Sequence, residues 1–87
     1  MWFVYILKSE QYKKSYVGST NDVMRRLYEH NIERSAYTSR YKPWTLIKSE
    51  AYSTLIESRC REAFLKTRIG RQELKLIFMQ SAEGETR

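Results

Sequence analysis

The chain has 87 residues, 41% of them hydrophobic and 30% charged, which indicates one small globular domain with a modest core. Its 16 lysines and arginines against 10 acidic residues give a formal charge of +6, which favours a polyanionic partner such as nucleic acid, although a merely soluble basic protein would carry the same charge. The single cysteine, Cys60, excludes an internal disulfide and a cysteine-based zinc site, and we expect it to fill the core.

The first two predicted elements are strands joined by a short polar connector. Residues 2–7, WFVYIL, are continuously apolar, which predicts a strand buried on both faces. The run is too short for a signal sequence or a membrane span, so we expect a cytoplasmic protein with no membrane partner. Residues 15–19 return as a second, antiparallel strand, which would bring Tyr16 near Tyr5. Gly18 in this strand would permit a bulge or the close approach of another group.

The third predicted element is a helix that ends at about Asn31. Residues 20–22 offer three candidate N-caps, because Thr, Asn and Asp side chains can accept a hydrogen bond from the first turn. The apolar side chains of this helix predict its buried side, which consists of Val23, Met24, Leu27 and Tyr28.

Two reactive side chains lie beside this apolar side. On a wheel of ~100° per residue, Arg26 and His30 share one flank, whereas Arg25 and Glu29 point more toward solvent. Arg26 and His30 are also neighbours at i and i+4, so both side chains can be directed at one ligand.

Residues 33–43 show no clear period, and Pro43 precludes a continuing helix, so we expect an exposed loop. Its cations Arg34, Arg40 and Lys42 interleave with Tyr37 and Tyr41, a pattern typical of a surface that contacts nucleic-acid backbone and bases. A solvated loop with both tyrosines packed on the core remains an equally open interpretation.

A third strand is predicted at residues 44–52, WTLIKSEAY, from its partial alternation. Thr54 and Glu57 fit a capping box, which begins a helix that we expect to end at about Arg68. Gly70 is expected to terminate this helix as its C′ residue.

The second half of the chain is thus predicted to end in two helices, the last of them over about residues 71–79. The last helix is expected to bury Leu74, Ile77 and Phe78. The helix before it is expected to bury Ile56, Cys60, Ala63 and Phe64, with an adjoining stripe formed by Leu55, Arg59, Glu62 and Lys66.

The predicted order is β-β-α-β-α-α. The simplest arrangement of these elements is an α+β fold in which helices flank a three-stranded antiparallel sheet. We expect one domain over residues 1–80, followed by a polar and flexible tail over residues 81–87, SAEGETR, whose composition lacks large apolar residues.

An ordered set of motifs in this sequence resembles the GIY-YIG endonuclease family. Its first motif is matched by residues 3–5, FVY, and its second by residues 16–18, YVG. Arg26 follows ten residues after the second tyrosine, as the helical arginine of the family does, and His30 follows four residues later. Glu62, within RCREAFLK, matches the acidic residue that holds the metal in the family.

The resemblance covers residues 1–78. It is closest to small single-domain bacterial members, which carry similar RRLxEHN and KPW elements, whereas the N-terminal nuclease domain of the bacterial excinuclease is a more distant relative. Two departures stand out. Phe3 and Val4 replace Gly and Ile of the first motif, and no asparagine follows Asn31, although many members have one near the end of the core.

The resemblance implies a metal-dependent endonuclease that acts on DNA with Mg²⁺ or Mn²⁺ and without a small-molecule cofactor. Glu62 would hold the metal; from the sequence alone, an exposed glutamate paired with Lys66 is the alternative. Few residues lie outside the core, so we expect selection of DNA structure rather than of sequence. The implied catalytic residues are Tyr5, Tyr16, Arg26, His30 and Glu62, and the implied nucleic-acid-binding residues are Gly18, Arg25, Arg40, Lys42 and Lys66.

The expected roles follow from phosphodiester chemistry. Arg26 would grip the scissile phosphate. Tyr16 is favoured as the general base and Tyr5 as the group that positions water, although the two roles remain interchangeable at this level. His30 could orient a tyrosine, carry a proton or bind phosphate.

The second function that the sequence supports is a nucleic-acid-binding module that keeps the fold and turns over little or not at all. The absence of a late asparagine favours this interpretation, whereas a carboxylate near the expected phosphate site favours catalysis.

Overall fold

The computed structural model describes residues 1–32 and 36–85, with backbone alone at residues 36 and 81–85. It contains three strands and four helices. These elements are β1 (Trp2–Ser9), β2 (Ser15–Thr20), α1 (Val23–Asn31), α2 (Ala36–Arg40), β3 (Trp44–Tyr52), α3 (Leu55–Leu65) and α4 (Arg68–Glu85).

The three strands form one antiparallel sheet in the order β2-β1-β3. The apolar run therefore forms the central strand, as its continuous hydrophobicity predicts. In the register of β1 with β2, Tyr5 lies opposite Gly18 and Leu7 lies opposite Tyr16. The predicted α+β class with a three-stranded antiparallel sheet is confirmed.

Helices cover the two faces of this sheet, because successive residues of β1 point to opposite sides. On one face, Val4 and Ile6 of β1 pack against Leu65 of α3 and Leu74 and Ile77 of α4. The other face is covered by α1 and the α2–β3 segment, and its cluster comprises Tyr5, Leu7 and Trp44 together with Tyr16, Val23, Leu27, Tyr41 and Leu46. Only the second face carries the phenol groups of the candidate site described below.

Short-range hydrogen bonds fix the element boundaries. The side chain of Asp22 accepts from the backbone N–H of Arg25 at 3.1 Å and caps α1. Thr54 and Glu57 form the predicted capping box of α3. The two strands β1 and β2 turn at Ser9, whose hydroxyl accepts backbone N–H groups of the connector.

Two predicted boundaries are wrong. The expected loop before Pro43 contains the short helix α2, whereas residues 33–35, which include Arg34, lie outside the described part of the chain. Gly70 does not end a helix: α3 ends at Leu65, and Gly70 lies inside α4 without a positive φ. A Cβ at Gly70 would overlap the Phe64 carbonyl oxygen, so this glycine permits the close packing of α3 and α4.

The predicted buried sides of α1 and α3 need correction: Val23 and Leu27 of α1 pack on the core as predicted, but the other predicted residues are exposed. Met24 and Tyr28 of α1 are 65% and 64% exposed, because the inward side of this helix is rotated toward Arg26 and His30. Glu29, expected in solvent, is half-buried against Arg26. In α3 the buried residues are Ser58 and Leu65, whereas the residues expected in the core are exposed, namely Ile56, Cys60, Ala63 and Phe64.

The last helix extends beyond its prediction at both ends, since α4 runs from Arg68 to Glu85. Its expected core residues Leu74 and Ile77 are buried, and Phe78 packs against them. The flexibility of residues 81–87 stays a prediction. Among the described helices, none combines the length and apolar character needed to cross a bilayer.

Candidate active site

The hydroxyl of Tyr5 lies at the centre of a buried polar cluster on the α1 face of the sheet. Tyr5 is 1% exposed, since it belongs to the central strand, and its oxygen lies 2.9 Å from Nε2 of His30. Burial raises the pKa of Tyr5 to about 12, although a side-chain hydrogen bond with Arg26 opposes part of this shift. Tyr5 therefore remains a neutral phenol over the physiological pH range.

His30 is an equally buried, neutral partner of this phenol. The pKa of His30 is lowered to about 4, mainly by burial and to a smaller extent by the nearby charge of Arg26. Of the three roles considered for His30, contact with phosphate is disfavoured, because a ring that is 1% exposed cannot reach a ligand in the solvent. Its hydrogen bond to Tyr5 fits the alternative that it orients a tyrosine.

Tyr16 lies beside this pair but is only half-buried. Its ring centroid is 4.6 Å from that of His30 and 6.0 Å from that of Tyr5. The predicted proximity of the two tyrosines is thus confirmed. Because β2 is an edge strand, Tyr16 is the tyrosine of the two that reaches the molecular surface.

Arg26 supplies a fixed cation at the edge of the cluster. Its side chain is 32% exposed, and Nη1 lies 2.6 Å from Oε1 of Glu29. Burial opposes the charge of the guanidinium, but hydrogen bonds with Glu29 and Tyr5 raise its pKa. The guanidinium is therefore held in place by two neighbours and keeps part of its surface accessible.

Glu62 reaches the sheet from the opposite face, where α3 packs. Its Oε1 accepts a hydrogen bond from the hydroxyl of Ser19 at 2.7 Å, and its Oε2 pairs with Nζ of Lys66 at 2.7 Å. Burial would raise the pKa of Glu62, but the hydrogen bonds from Lys66 and Ser19 hold it below its usual value. Glu62 is thus an ionised, oriented carboxylate whose side chain is 20% exposed.

The candidate site has two halves, the phenol cluster on the α1 face and Glu62 on the α3 face, and they meet at two successive residues of β2. A Cβ placed on Gly18 would lie 2.7 Å from the Tyr5 hydroxyl, so the phenol occupies the space that a side chain would fill. The next residue, Ser19, points to the other face and binds Glu62. The predicted close approach at Gly18 is therefore made by Tyr5, and the buried Gly18 is not available to nucleic acid.

The other predicted nucleic-acid contacts are more scattered. Arg25 is exposed and contacts Asn21 and Asp22 at the start of its helix. Arg40 lies over the ring of Tyr41. Lys42 is half-buried, and Lys66 pairs with the candidate catalytic side chain of Glu62. The structure brings together Tyr5, Tyr16, Arg26 and His30 on one face and Glu62 and Lys66 on the other.

Two residues that support the site have no distinct sequence signal. Ser19 orients Glu62 across 43 positions of sequence, a contact that no local pattern encodes. Asn31 binds the backbone of Trp44 through both ends of its amide, with Trp44 N–H donating to Oδ1 at 2.7 Å and Nδ2 donating to the Trp44 carbonyl at 3.3 Å. It thereby ties the end of α1 to the start of β3.

The donor set around Glu62 fits a hard divalent cation of the Mg²⁺ type better than a transition metal. No group of three or more His, Cys, Asp or Glu side chains converges anywhere in the described residues. A single oriented carboxylate is nonetheless a normal protein ligand set for Mg²⁺, which keeps several waters and binds substrate oxygens as well. Glu62, held by Ser19, is the residue that would hold such an ion.

Comparison with known proteins shows the family of this chain. The sequence profile of the GIY-YIG catalytic domain matches residues 1–76. A UPF0213 protein of Staphylococcus epidermidis is 38% identical over 76 residues, which are 86% of this chain and 92% of the relative. A UPF0213 protein of Clostridium perfringens is 34% identical over 86 residues, which cover 98% of this chain and 91% of the relative.

A solved structure shares the fold. The solution NMR structure of a UPF0213 protein from Bacillus halodurans is similar with a TM-score of 0.52 and 28% identity, and the match covers 93% of this chain and 87% of the other. The profile match spans both strands that carry the tyrosines, the helix of Arg26 and His30, and the helix of Glu62. The chain therefore belongs to the GIY-YIG catalytic domain family, and this membership indicates a nuclease.

Proposed function

We propose that this protein is a divalent-metal-dependent endonuclease that hydrolyses phosphodiester bonds in DNA and selects its substrate by structure. The observation that carries the proposal is the meeting of two groups at consecutive residues of one edge strand. The phenol cluster reaches Gly18 from one face, and the oriented carboxylate of Glu62 reaches Ser19 from the other. A phosphodiester at this edge would lie between a fixed guanidinium and an ionised carboxylate.

The burial and charge of each side chain indicate its proposed role in the reaction. Arg26 is the cation that can bind the scissile phosphate and stabilise the charge that develops on it. Tyr16 is the half-exposed phenol and is the better candidate for contact with the attacking water. Tyr5 stays protonated and buried, so it acts as a positioning residue through its contacts with Arg26 and Tyr16.

The neutral imidazole of His30 holds the Tyr5 hydroxyl in place. Its pKa of about 4 disfavours a proton-carrying role near neutral pH. On the opposite face, Glu62 would hold Mg²⁺ or Mn²⁺. When bound there, the ion would polarise the phosphate and lower the pKa of a coordinated water.

A nucleic-acid-binding module without turnover is the second candidate, and one observation favours it. Both oxygens of Glu62 already have protein partners, so this carboxylate could serve only to pin α3 to β2. Binding and cleavage must therefore be measured separately.

The test is incubation of the full chain with flapped, branched, single-stranded and blunt duplex DNA in Mg²⁺, in Mn²⁺ and in EDTA. We expect cleavage of at least one structured substrate in the presence of metal and none in EDTA. Salt-sensitive binding without cleavage under all conditions would establish the binding module instead.

Variants assign the site. Arg26→Ala and Glu62→Ala should each lower the cleavage rate by roughly 100-fold or more, as loss of a charge-stabilising group does in other enzymes. Lys48→Ala removes one positive charge from β3, at the far edge of the sheet from β2, and should leave turnover within a few-fold. Cleavage that persists in both Arg26→Ala and Glu62→Ala would disprove the assigned site.

A further inference from the structure

A basic groove of about 670 Å³ runs beside the edge strand β2 and adjoins the phenol cluster. It lies between the β1–β2 connector, the strand β2 and the helix α4. Among the described residues that line it there is no acidic side chain, so all of its charged lining residues are cations. Its cations are Lys13, Lys14, Lys66, Arg71 and Lys75.

Four of these five cations come from two elements, the β1–β2 connector and α4, and Lys66 follows the end of α3. Lys13 and Lys14 are consecutive and exposed in the connector. Arg71 and Lys75 are exposed neighbours on α4, one turn or about 6 Å apart along the helix axis. The two pairs thus line one groove from two different elements, so both can contact the backbone of the same strand.

The groove also has an aromatic wall formed by Tyr37. Its side chain is 43% exposed, yet its hydroxyl donates to the carbonyl of Ser15 at 3.2 Å. Its ring is stacked on Trp44 at a centroid distance of 6.2 Å and contacts Tyr41 edge-on at 5.2 Å. Tyr37 is therefore a fixed aromatic surface with one part open to a ligand.

Two lining residues connect the groove to the candidate active site. Tyr16 lines it from β2 and belongs to the phenol cluster, and Lys66 lines it from the opposite side and pairs with Glu62. A strand that follows the groove would therefore pass residues 15–17 of β2, directly before Gly18 and Ser19, where the two halves of the site meet.

We propose that this groove binds a single-stranded segment of DNA, with its phosphates along Lys13, Lys14, Arg71 and Lys75 and an unpaired base against Tyr37. The proposal rests on the proposed nuclease function and specifies its substrate as DNA with an unpaired segment next to the scissile bond. A single strand fits better than a duplex, because the exposed tyrosine can stack only with a base that is free of its pairing partner.

The binding test uses the full chain in EDTA, so that no metal-dependent cleavage occurs. Fluorescence anisotropy compares a labelled twelve-nucleotide thymidine strand with a closed hairpin duplex of equal charge. We expect the single strand to bind several-fold more tightly than the hairpin. Tighter binding of the hairpin would overturn the proposal and assign the groove to duplex DNA.

A charge variant tests the phosphate path. Lys75→Gln should weaken binding of the single strand and reduce the slope of log K against log salt by about 0.7, the value for one phosphate contact on a single strand. Lys48→Gln is the matched control, because Lys48 lies on β3, at the far edge of the sheet from β2. If both substitutions weaken binding equally, the effect comes from the net charge of the protein and not from the groove, which would contradict the proposal.

An aromatic variant tests the stacking surface. Tyr37→Ala should weaken binding of the single strand about 5-fold or more, and Tyr37→Phe, which keeps the ring, should retain most of it. Tyr28→Ala removes a more exposed tyrosine, 64% against 43% for Tyr37, from α1 and should have no effect. If Tyr37→Phe and Tyr37→Ala are equally impaired while both stay folded by circular dichroism, base stacking at Tyr37 is disproved.

Cleavage assays on the same variants separate this proposal from the nuclease function. Tight single-strand binding that depends on Lys75 and Tyr37 in EDTA would support the groove, and failure to cleave in Mg²⁺ would then count against catalysis alone. Cleavage that is unchanged in Lys75→Gln and Tyr37→Ala at subsaturating substrate would count against the groove alone.

Discussion

The imidazole of His30 packs against the rings of Tyr5 and Tyr16, with centroid separations of 5.8 and 4.6 Å. Its Nε2 has a partner in Tyr5, whereas its Nδ1 has no hydrogen-bond partner among the described residues. Protonation would place a charge in this buried position close to the guanidinium of Arg26. The folded state therefore disfavours the imidazolium, and the free energy of unfolding should depend on pH because of His30.

The sign of this dependence follows from the lowered pKa. The unfolded chain binds a proton at His30 near pH 6.5, whereas the folded protein does so only near pH 4. The stabilisation is fully present above pH 6.5 and is lost progressively as the pH falls toward 4. We expect a loss of up to about 3 kcal/mol in the free energy of unfolding across this range, measured by urea titration.

The variant His30→Gln supplies the control, because it removes the titrating group. Its stability should be nearly flat between pH 6.5 and 5.5, since the carboxylates with lowered pKa values, such as Glu50 and Glu62, lose their stabilisation only as the pH approaches and falls below the unfolded value of 4.5. If the free energy of unfolding of the wild type is equally flat over this range, His30 has the same pKa in the folded and the unfolded state, and the expected shift is disproved.

How far the site could be predicted depends on whether each contact is local. The pairing of Tyr5 with Gly18 follows from an antiparallel strand pair, so the approach of a group to Gly18 was predictable, although not its identity. Ser19 and Glu62 meet only after α3 packs on the sheet. The inward position of Arg26 was predictable only in part. A helical wheel places Arg26 beside the apolar side of α1, but it cannot show that this side of the helix faces the tyrosines.

At the level of elements, the packing of α3 against α4 depends on Gly70, where the backbones of the two helices approach closely. A Cβ there would lie 2.6 Å from Cα of Leu65 and overlap the Phe64 carbonyl oxygen. Alanine gains about 1 kcal/mol of helix propensity over glycine, but overpacking against backbone costs more. We therefore expect Gly70→Ala to lower the free energy of unfolding by at least about 2 kcal/mol in urea denaturation.

The comparison with asparagine distinguishes packing from helix capping. At a C′ position asparagine is a tolerated substitute for glycine, so a cap would make Gly70→Asn milder than Gly70→Ala. The packing interpretation requires Gly70→Asn to be at least as destabilising. Gln72→Ala, an exposed change on the same helix, should leave stability within about 0.5 kcal/mol.

The strands and α1 could be predicted because their signals are local: an apolar run, an N-cap and an antiparallel return. The buried side of α3 could not, since its inward residues include charged ones. Arg61 bonds Glu50 of β3 through Nε at 2.9 Å and also bonds Glu73 of α4, so this face of α3 is held by ion pairs. A hydrophobicity pattern assigns such a face to solvent.

For the whole molecule, the site depends on both helical layers at once. Arg26 and the tyrosines belong to the α1 face, and Glu62 belongs to the α3 face. The sheet is only three strands wide, so its edge strand β2 is accessible to groups from both sides. A functional site at this edge therefore needs the complete domain, which includes the part of α4 that covers the second face.

This dependence predicts where the chain can be shortened. Truncation after Gln80 removes residues 81–87, and we expect the melting temperature to fall by less than about 5 °C, which corresponds to less than 1 kcal/mol for a domain of this size. Truncation after Lys75 also removes Ile77 and Phe78. Ile77 is 7% exposed and belongs to the core, so its loss costs about 2–5 kcal/mol, comparable to the whole stability of a domain of this length.

Thermal unfolding followed by circular dichroism compares the two truncations with the full chain. The longer fragment should unfold cooperatively, and the shorter one should lack a cooperative transition. A large loss of stability on removal of residues 81–87 alone would show that the domain extends beyond Gln80. A stable shorter fragment would show that the α3 face can be covered without the end of α4, and Glu62 would then be oriented by α3 and β2 alone.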